Sequence, residues 1–191
     1  MSGRRTIAVY GGSFDPPHVA HVLAVAYVLS ACAVDEVWVL PTAAHAFAKR
    51  LRPFEVRIDL ARLAFGLFGD RVHVRDDEVR LDAGGSTLAL LEHLRALHPE
   101  VDLRLVLGTD QIAARHRWHR FDAIEALARP LVLGRPGVAV DPAYPPMVWL
   151  PDISSTSLRA RLATGAAVEG ELPSAVADRI AERGLYREVL P

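Results

Sequence analysis

His18 and His21 follow the segment Gly11-Gly12-Ser13-Phe14-Asp15-Pro16-Pro17, and the prolines bring the chain to a helix start near His18. At positions i and i+3 two imidazoles share one face of a first helical turn. Aimed at a phosphate, they can donate hydrogen bonds to charge that builds during reaction. The glycines let the backbone bend sharply and approach a ligand. The helix start adds unpaired N–H groups and a partial positive charge, so the chemistry indicated is the holding of an anion such as a triphosphate. Far along the chain stands Ile153-Ser154-Ser155-Thr156-Ser157-Leu158-Arg159. Its serines and threonine are helix-capping types, and a capped helix would explain them without any ligand. Arg159 says more, because a cation in a first helical turn opposes the dipole unless a phosphate offsets it, and arginine binds phosphate bidentately. The turn contains neither GxxxxGK[ST] nor GxGxxG, so ATP would have to be held by these groups instead.

The elements that must carry these residues alternate. Ile7 to Tyr10 reads as a strand, His18 to Ala33 as a helix with Val19, Val22, Leu23, Ala26 and Leu29 facing in, and Glu36 to Leu40 as a second strand. Such a unit predicts parallel strands and a right-handed crossover. Phe54 to Phe68 predicts a helix with Phe54, Ile58, Ala61 and Phe65 inward. Val72 to Val74 predicts a short strand that Glu78 to Leu81 could extend. After Gly84-Gly85, Ser86 or Thr87 can cap a helix carrying Leu90, Leu91, Leu94 and Leu97. Leu103 to Leu107, Leu131 to Leu133 and Met147 to Leu150 read as strands, with a helix over Asp122 to Ala128. Leu158 to Ala163 and Pro173 to Arg183 read as helices, the last with Val176 and Ile180 inward and Gly184 as its stop. The expectation is one α/β domain over 1–191: a Rossmann-like, doubly wound parallel sheet of about five to six strands with a small C-terminal helical extension over 151–191.

The chain has 191 residues, 51% hydrophobic and 24% charged, with net charge −1. That balance gives no bulk attraction to nucleic acid or an anionic membrane, so any anion site must be local. The single Cys32 excludes an intrachain disulfide and a cysteine-rich zinc site, and its place in an apolar helix suggests a buried structural thiol. Met1 to Arg5 carries no apolar leader, and no run of eighteen apolar residues occurs, so a soluble cytoplasmic protein is expected.

Other residues could bind or merely pack. His45, Lys49, Arg50 and Arg52 make the loop after the second strand locally basic, and loops at strand carboxyl ends often carry function. Trp118, set between Arg117 and His119-Arg120, offers a stacking face for a planar ring. Trp38 and Trp149 lie in predicted strands and are assigned to packing. His116 and His119 form a second HxxH, but without HExxH a metal site joining them to His18 and His21 is disfavoured. Asp110 ends a strand at the ligand-facing edge, where it could position a ribose or cap a helix. Arg75-Asp76-Asp77-Glu78 reads as solvated surface, and His93 and His98 as solvent-facing.

Gly11 to His21 resembles the signature of the (H/T)xGH nucleotidyltransferase superfamily, and the longer form is similar to its nicotinate-nucleotide adenylyltransferases. Ile153 to Arg159 resembles that family's late Ile-Ser-Ser-Thr-x-x-Arg motif. Gly108-Thr109-Asp110, Trp118, Arg135-Pro136-Gly137 and Gly184-Leu185-Tyr186 match further landmarks. The resemblance implies transfer of AMP from ATP to nicotinate mononucleotide, giving nicotinate adenine dinucleotide and pyrophosphate. It implies catalytic roles for His18, His21 and Arg159. ATP would also meet Gly11, Gly12, Ser13 and Phe14 at the turn, and Gly108, Asp110 and Arg135 at the strand ends. Ile153, Ser154, Ser155 and Thr156 would grip its phosphates from the late helix. Lys49, Thr87 and Trp118 would meet the mononucleotide, with nicotinate stacked on Trp118 and its carboxylate at Thr87. Magnesium would be held mainly by ATP phosphates and water, with no protein metal ligands. In this sequence Ala20 stands where the family usually has glycine, putting a methyl at the helix start beside the nucleotide, and the basic loop departs from the family's usual Pro-His-Lys. Nicotinamide mononucleotide or phosphopantetheine as acceptor, and a non-catalytic nucleotide-binding module, stay open as alternatives.

Overall fold

Strands β1 (Arg5–Gly12), β2 (Glu36–Pro41), β3 (Val72–Val74), β4 (Val101–Gly108) and β5 (Ala128–Leu133) form one sheet in the order β3-β2-β1-β4-β5. Every pairing is parallel, as the alternation of strands and helices predicts. The computed structural model describes residues 4–43, 51–81 and 86–187. The chain winds outward from β1 through β2 to β3, then returns across to β4 and β5. The reversal lies between β1 and β4, and in such sheets the crevice beyond the strand carboxyl ends at that point receives ligands.

Helices cover both faces. On one lie α1 (Val19–Ala31), α2 (Phe54–Phe65), α7 (Ser155–Ala163) and α8 (Ser174–Glu182). Ala8, Val37, Val39 and Val106 of the sheet pack there with Ala24, Val28, Ala61, Phe65, Leu158, Val176 and Ile180. On the other lie α4 (Thr87–Leu97), α5 (Thr109–Ala113) and α6 (Phe121–Leu127). Ile7, Val9, Leu103, Leu105 and Leu107 meet Leu90, Leu91, Leu94, Ile112 and Ile124 on that face. The strands thus divide their side chains residue by residue between two cores, Ile7 and Val9 against Ala8, as the period of two requires. Each fully buried Ile, Leu or Val contributes roughly 1.5–3 kcal/mol relative to exposure.

Several expectations need correction. In α1 the buried residues are Ala20, Ala24, Val25 and Val28, whereas Leu23 is 42% exposed. The helix is apolar nearly all round, so its pattern carries little phase; close approach to the sheet selects the small residues. Residues Asp77–Leu81 are a short helix, α3, and not a strand extension. Asp77 and Glu78 in its first turn complement the helix dipole. Residues 147–150 form no full strand. They run along the edge of β5 through one parallel bridge, Gly134 to Trp149, because Pro145-Pro146 and Pro151 remove ladder donors on either side. The second predicted helix also ends early, at Phe65, and continues as a 3₁₀ turn over Gly66–Arg71.

Candidate active site

The turn after β1 is packed around one buried ring. Phe14 has a left-handed φ of 46° and is fully buried, with its ring edge-on to Tyr10, His21 and Phe65. A Cβ on Gly12 would stand 3.1 Å from that ring, whereas one on Gly11 would meet nothing. Gly12 therefore makes room for Phe14, and Gly11 leaves room in the cavity it lines.

His18 is the N-cap of α1, and its backbone N–H donates to His21 Nδ1 at 3.1 Å. His21 Nδ1 is thereby an acceptor, which puts the ring proton of the neutral form on Nε2. The two rings stack with centroids 3.7 Å apart. Burial and the Arg135 charge pull the His18 pKa down to about 3. Burial, His18 and Arg135 hold His21 well below the usual imidazole range. Both are neutral at physiological pH and able to donate an N–H to an oxyanion without carrying charge beforehand. His18 Nδ1 is buried and has no hydrogen-bond partner among the described residues.

The late motif closes onto this turn. Ser154 caps α7 by accepting from Ser157 N–H at 3.2 Å. Ser155 Oγ donates to Pro16 O at 2.9 Å, and Arg159 Nη1 donates to Asp15 O at 2.7 Å. Arg159 also reaches Thr156 Oγ1. Its charge, expected to oppose the helix dipole, is thus turned toward the Asp15 carbonyl of the glycine turn. Beneath them the Asp15 carboxylate is fully buried, accepting from Tyr186 Oη at 2.7 Å and from Arg52 N–H at 3.2 Å. The closing Gly184-Leu185-Tyr186 has a physical role in this arrangement, because Gly184, at φ 59°, turns the chain so that Tyr186 meets Asp15.

The N-termini of α1 and α7 open on one cavity of about 480 Å³ at the carboxyl ends of β1 and β4. This size suits a small-molecule site. Of the predicted residues, Gly11, Gly12, Ser13, His18, His21, Asp110, Arg135, Ser154, Ser155 and Thr156 line it, as do Thr87 and Trp118. Thr87 opens α4, whose N-cap Ser86 accepts from Ala89 N–H as expected. Trp118 packs edge-on to Phe121. The cavity thus spans both sheet faces, with the turn, α1 and α7 on one and α4 and Trp118 on the other. Gly108 has a reason too, since a Cβ there would strike Asp110 Oδ1 and crowd the Arg135 side chain.

Some predicted residues stand back from the cavity. Phe14 is core, Gly108 supports Asp110, and Ile153 offers its carbonyl to Arg135 Nη2 at 3.2 Å. Arg159 acts on the turn from behind. Ala20, expected to place its methyl beside the nucleotide, packs into the core under α1 and does not line the cavity. Lys49, with His45 and Arg50, lies outside the described residues. His116 and His119 are exposed and away from the cavity. No group of three or more His, Cys, Asp or Glu among the described residues could hold a metal ion.

Sequence reasoning missed several contributors. Tyr10, Thr42, Glu78 and Gln111 line the cavity. The run at 75–78, expected as solvated surface, is partly buried: Arg75 lies 4.1 Å over Trp38 and makes two bonds to Asp77, which is 6% exposed. His98, expected in solvent, stacks edge-on to Trp38 and meets Arg75 at 3.3 Å. The position of the 75–78 run just past β3, at the ligand-facing edge, was the available signal. Trp149 is 53% exposed although its ring covers Gly134, and Cys32 lies just beyond α1, half-buried.

Comparison with known proteins agrees with this geometry. The chain is 47% identical over 190 residues to a protein of Anaeromyxobacter sp. (strain K) named "Probable nicotinate-nucleotide adenylyltransferase", covering 98% of this chain and 100% of that one. A protein of the same name from Myxococcus xanthus (strain DK1622) is 35% identical, covering 94% of each. The fold is similar to the solved structure of Plasmodium falciparum nicotinic acid mononucleotide adenylyltransferase complexed with NaAD, with a TM-score of 0.79 at 20% identity over 98% of this chain and 100% of that one. The family model described as Cytidylyltransferase-like matches residues 9–161, a span that begins in β1 and ends in α7, the helix that bonds to the turn after β1. The chain belongs to the cytidylyltransferase-like family and, within it, to the nicotinate-nucleotide adenylyltransferases.

Proposed function

We propose that this enzyme joins nicotinate mononucleotide to ATP, giving nicotinate adenine dinucleotide and pyrophosphate, a step of NAD biosynthesis. The observation that carries the reading is the closure of α7 onto the glycine turn through Ser155 to Pro16 and Arg159 to Asp15. It sets two helix N-termini and two neutral imidazoles around one cavity. The relatives named above support the acceptor's identity.

ATP takes the face of α1 and α7. The turn from Gly11 to Ser13, with Ser154 to Thr156, cradles its phosphates, and His18, His21 and Arg135 donate to them. Arg159 brings a further cation to the same turn. Asp110 serves the ribose beside Gly108. Nicotinate mononucleotide takes the other face, its ring on Trp118 and its carboxylate at the α4 N-terminus by Thr87, with Lys49 contributing from the loop after β2.

A phosphate oxygen of the mononucleotide attacks the α-phosphorus of ATP in line. The bond from that phosphorus to the bridging oxygen breaks, and pyrophosphate leaves with the electron pair. The attacking phosphate is already anionic, so no general base is required, and catalysis is positioning and charge stabilisation. His18 and His21 donate N–H bonds to oxygens that gain charge. Magnesium held by the triphosphate and water would fit the lining, which offers many donors and only isolated carboxylates. When bound it neutralises phosphate charge. Residues 151–191 complete the ATP site within a single domain. Among the described residues no helix is long and apolar enough to cross a membrane, and we place the enzyme in the cytoplasm.

Pyrophosphate release with ATP, measured over nicotinate mononucleotide, nicotinamide mononucleotide and phosphopantetheine, tests the proposal. Nicotinate mononucleotide should give the highest kcat/KM. Preference for another acceptor, or ATP binding without release for any of them, would overturn it.

A further inference from the structure

The peptide group between Thr42 and Ala43 is gripped from both sides. Its carbonyl accepts from Arg57 Nη2 at 2.7 Å, and its N–H donates to Glu78 Oε2 at 2.9 Å. The two side chains come from different helices, α2 and α3. Thr42 N–H in turn donates to Gly12 O at 2.9 Å, so the same residue is tied to the phosphate turn.

Arg57 is 1% exposed, and its other two nitrogens also donate to main chain: Nη1 to Ser13 O at 2.9 Å and Nε to Arg52 O at 2.8 Å. One guanidinium therefore joins the glycine turn, the end of β2 and the approach to α2. Burial lowers the Arg57 pKa and raises that of Glu78, and each charge counters the shift of the other. Removing Arg57 would leave Glu78 without the charge that offsets its burial, whereas Arg57 without Glu78 keeps the Asp15 carboxylate nearby. Thr42 and Glu78 both line the cavity. Glu78 belongs to α3, which packs on α4, the helix that brings Thr87 to the acceptor face.

We infer that Glu78, reaching from α3 to Ala43 N–H, presets the Thr42–Ala43 backbone beside the acceptor face and is a positioning residue for the mononucleotide, while Arg57 fixes the same peptide group to the glycine turn. Neither residue touches a reacting atom. Glu78 works by reach: a carboxylate from α3 must span to Ala43 N–H. This inference rests on the adenylyl transfer proposed above.

The test is initial-rate kinetics in both substrates, with thermal unfolding, for E78A, E78D and E78Q. E78A loses the acceptor for Ala43 N–H, and E78D keeps the charge but falls one methylene short. Each should raise KM for nicotinate mononucleotide up to about tenfold, from the loss of one part-buried hydrogen bond, with little change in KM for ATP. E78Q can still accept through its amide oxygen and should recover most of the loss. An unchanged acceptor KM in E78A or E78D, or an equal rise for both substrates, would overturn the inference. So would a lower acceptor KM in E78A, which would make Glu78 a repelling charge. Should E78A not fold, E78D against E78Q decides the matter alone. Calorimetric binding of nicotinate mononucleotide needs no turnover and should rank wild type and E78Q above E78A and E78D. That ranking separates failure of this positioning role from failure of the proposed reaction.

Discussion

Y186F removes a single oxygen from the best-buried polar contact of the phosphate turn. Tyr186 is 2% exposed and its hydroxyl donates to Asp15 Oδ1 at 2.7 Å, while Asp15 is fully buried. Burial and Asp15 both push the tyrosine pKa up, so the hydroxyl remains a donor at any ordinary pH. A hydrogen bond to a charged group contributes about 1.5–3 kcal/mol, and the variant leaves the carboxylate oxygen without that donor. Asp15 keeps the Arg52 N–H bond and the nearby Arg57 charge, so the lower half of that range is expected. For a chain of this size, that is a fall in Tm of roughly 3–9 °C. Y27F is the control, since its hydroxyl meets Met147 O at 3.1 Å in an exposed position and should matter little. Differential scanning fluorimetry or circular dichroism reads both. Because Asp15 also carries the carbonyl that Arg159 grips, kcat should fall in Y186F as well. A Tm within about 1 °C of wild type, matching Y27F, would refute the claim that this bond organises the turn.

The buried histidines predict an acid-sensitive fold. His18 titrates near 3 and His21 well below 6.5, so below pH 6.5 the unfolded chain takes up protons that the folded chain refuses. Their contribution is complete above pH 6.5 and is lost as pH falls below it; for His18 the loss continues toward pH 3, by up to about 1.4 kcal/mol per pH unit. Denaturant unfolding at several pH values should show a flatter acid limb for the H18Q/H21Q variant; parallel limbs would contradict the stated burial. H18A and H21A should each lower kcat by about 10²-fold or more, with far smaller losses of stability than of turnover. Near-normal turnover in both would remove the histidines from the mechanism. W118A should raise KM for the mononucleotide more than KM for ATP, and equal effects would argue against ring stacking.

How much of this was legible in the sequence differs by element. The strand–glycine–helix unit at the N-terminus, the Ser154 cap and the split of β1 between two faces follow from local residue types and period. The joining of Gly11–His21 to Ile153–Arg159 does not follow from spacing alone, because two segments so far apart meet only through the order β3-β2-β1-β4-β5. The phase of α1 was hidden by its nearly uniform apolarity. Arg57 was hidden for a different reason: it lies on the buried face of α2, where its three bonds all go to main-chain carbonyls that no side-chain pattern announces. Glu78 was concealed within a charged run that looks like surface until β3 is seen to deliver it to the cavity. Tyr186 was marked by the resemblance of Gly184-Leu185-Tyr186, but its bond to Asp15, 171 residues away, was not legible in the sequence.

The central claim is attack by the mononucleotide phosphate on the α-phosphorus of ATP within this cavity. ATP labelled at its α-phosphate, incubated with nicotinate mononucleotide and the enzyme, tests it most directly. The account predicts that the label appears in nicotinate adenine dinucleotide, in equal amount to unlabelled pyrophosphate, and that H21A slows the appearance of both by about 10²-fold or more. Label recovered as free AMP, or remaining in ATP while the acceptor is present, would contradict it.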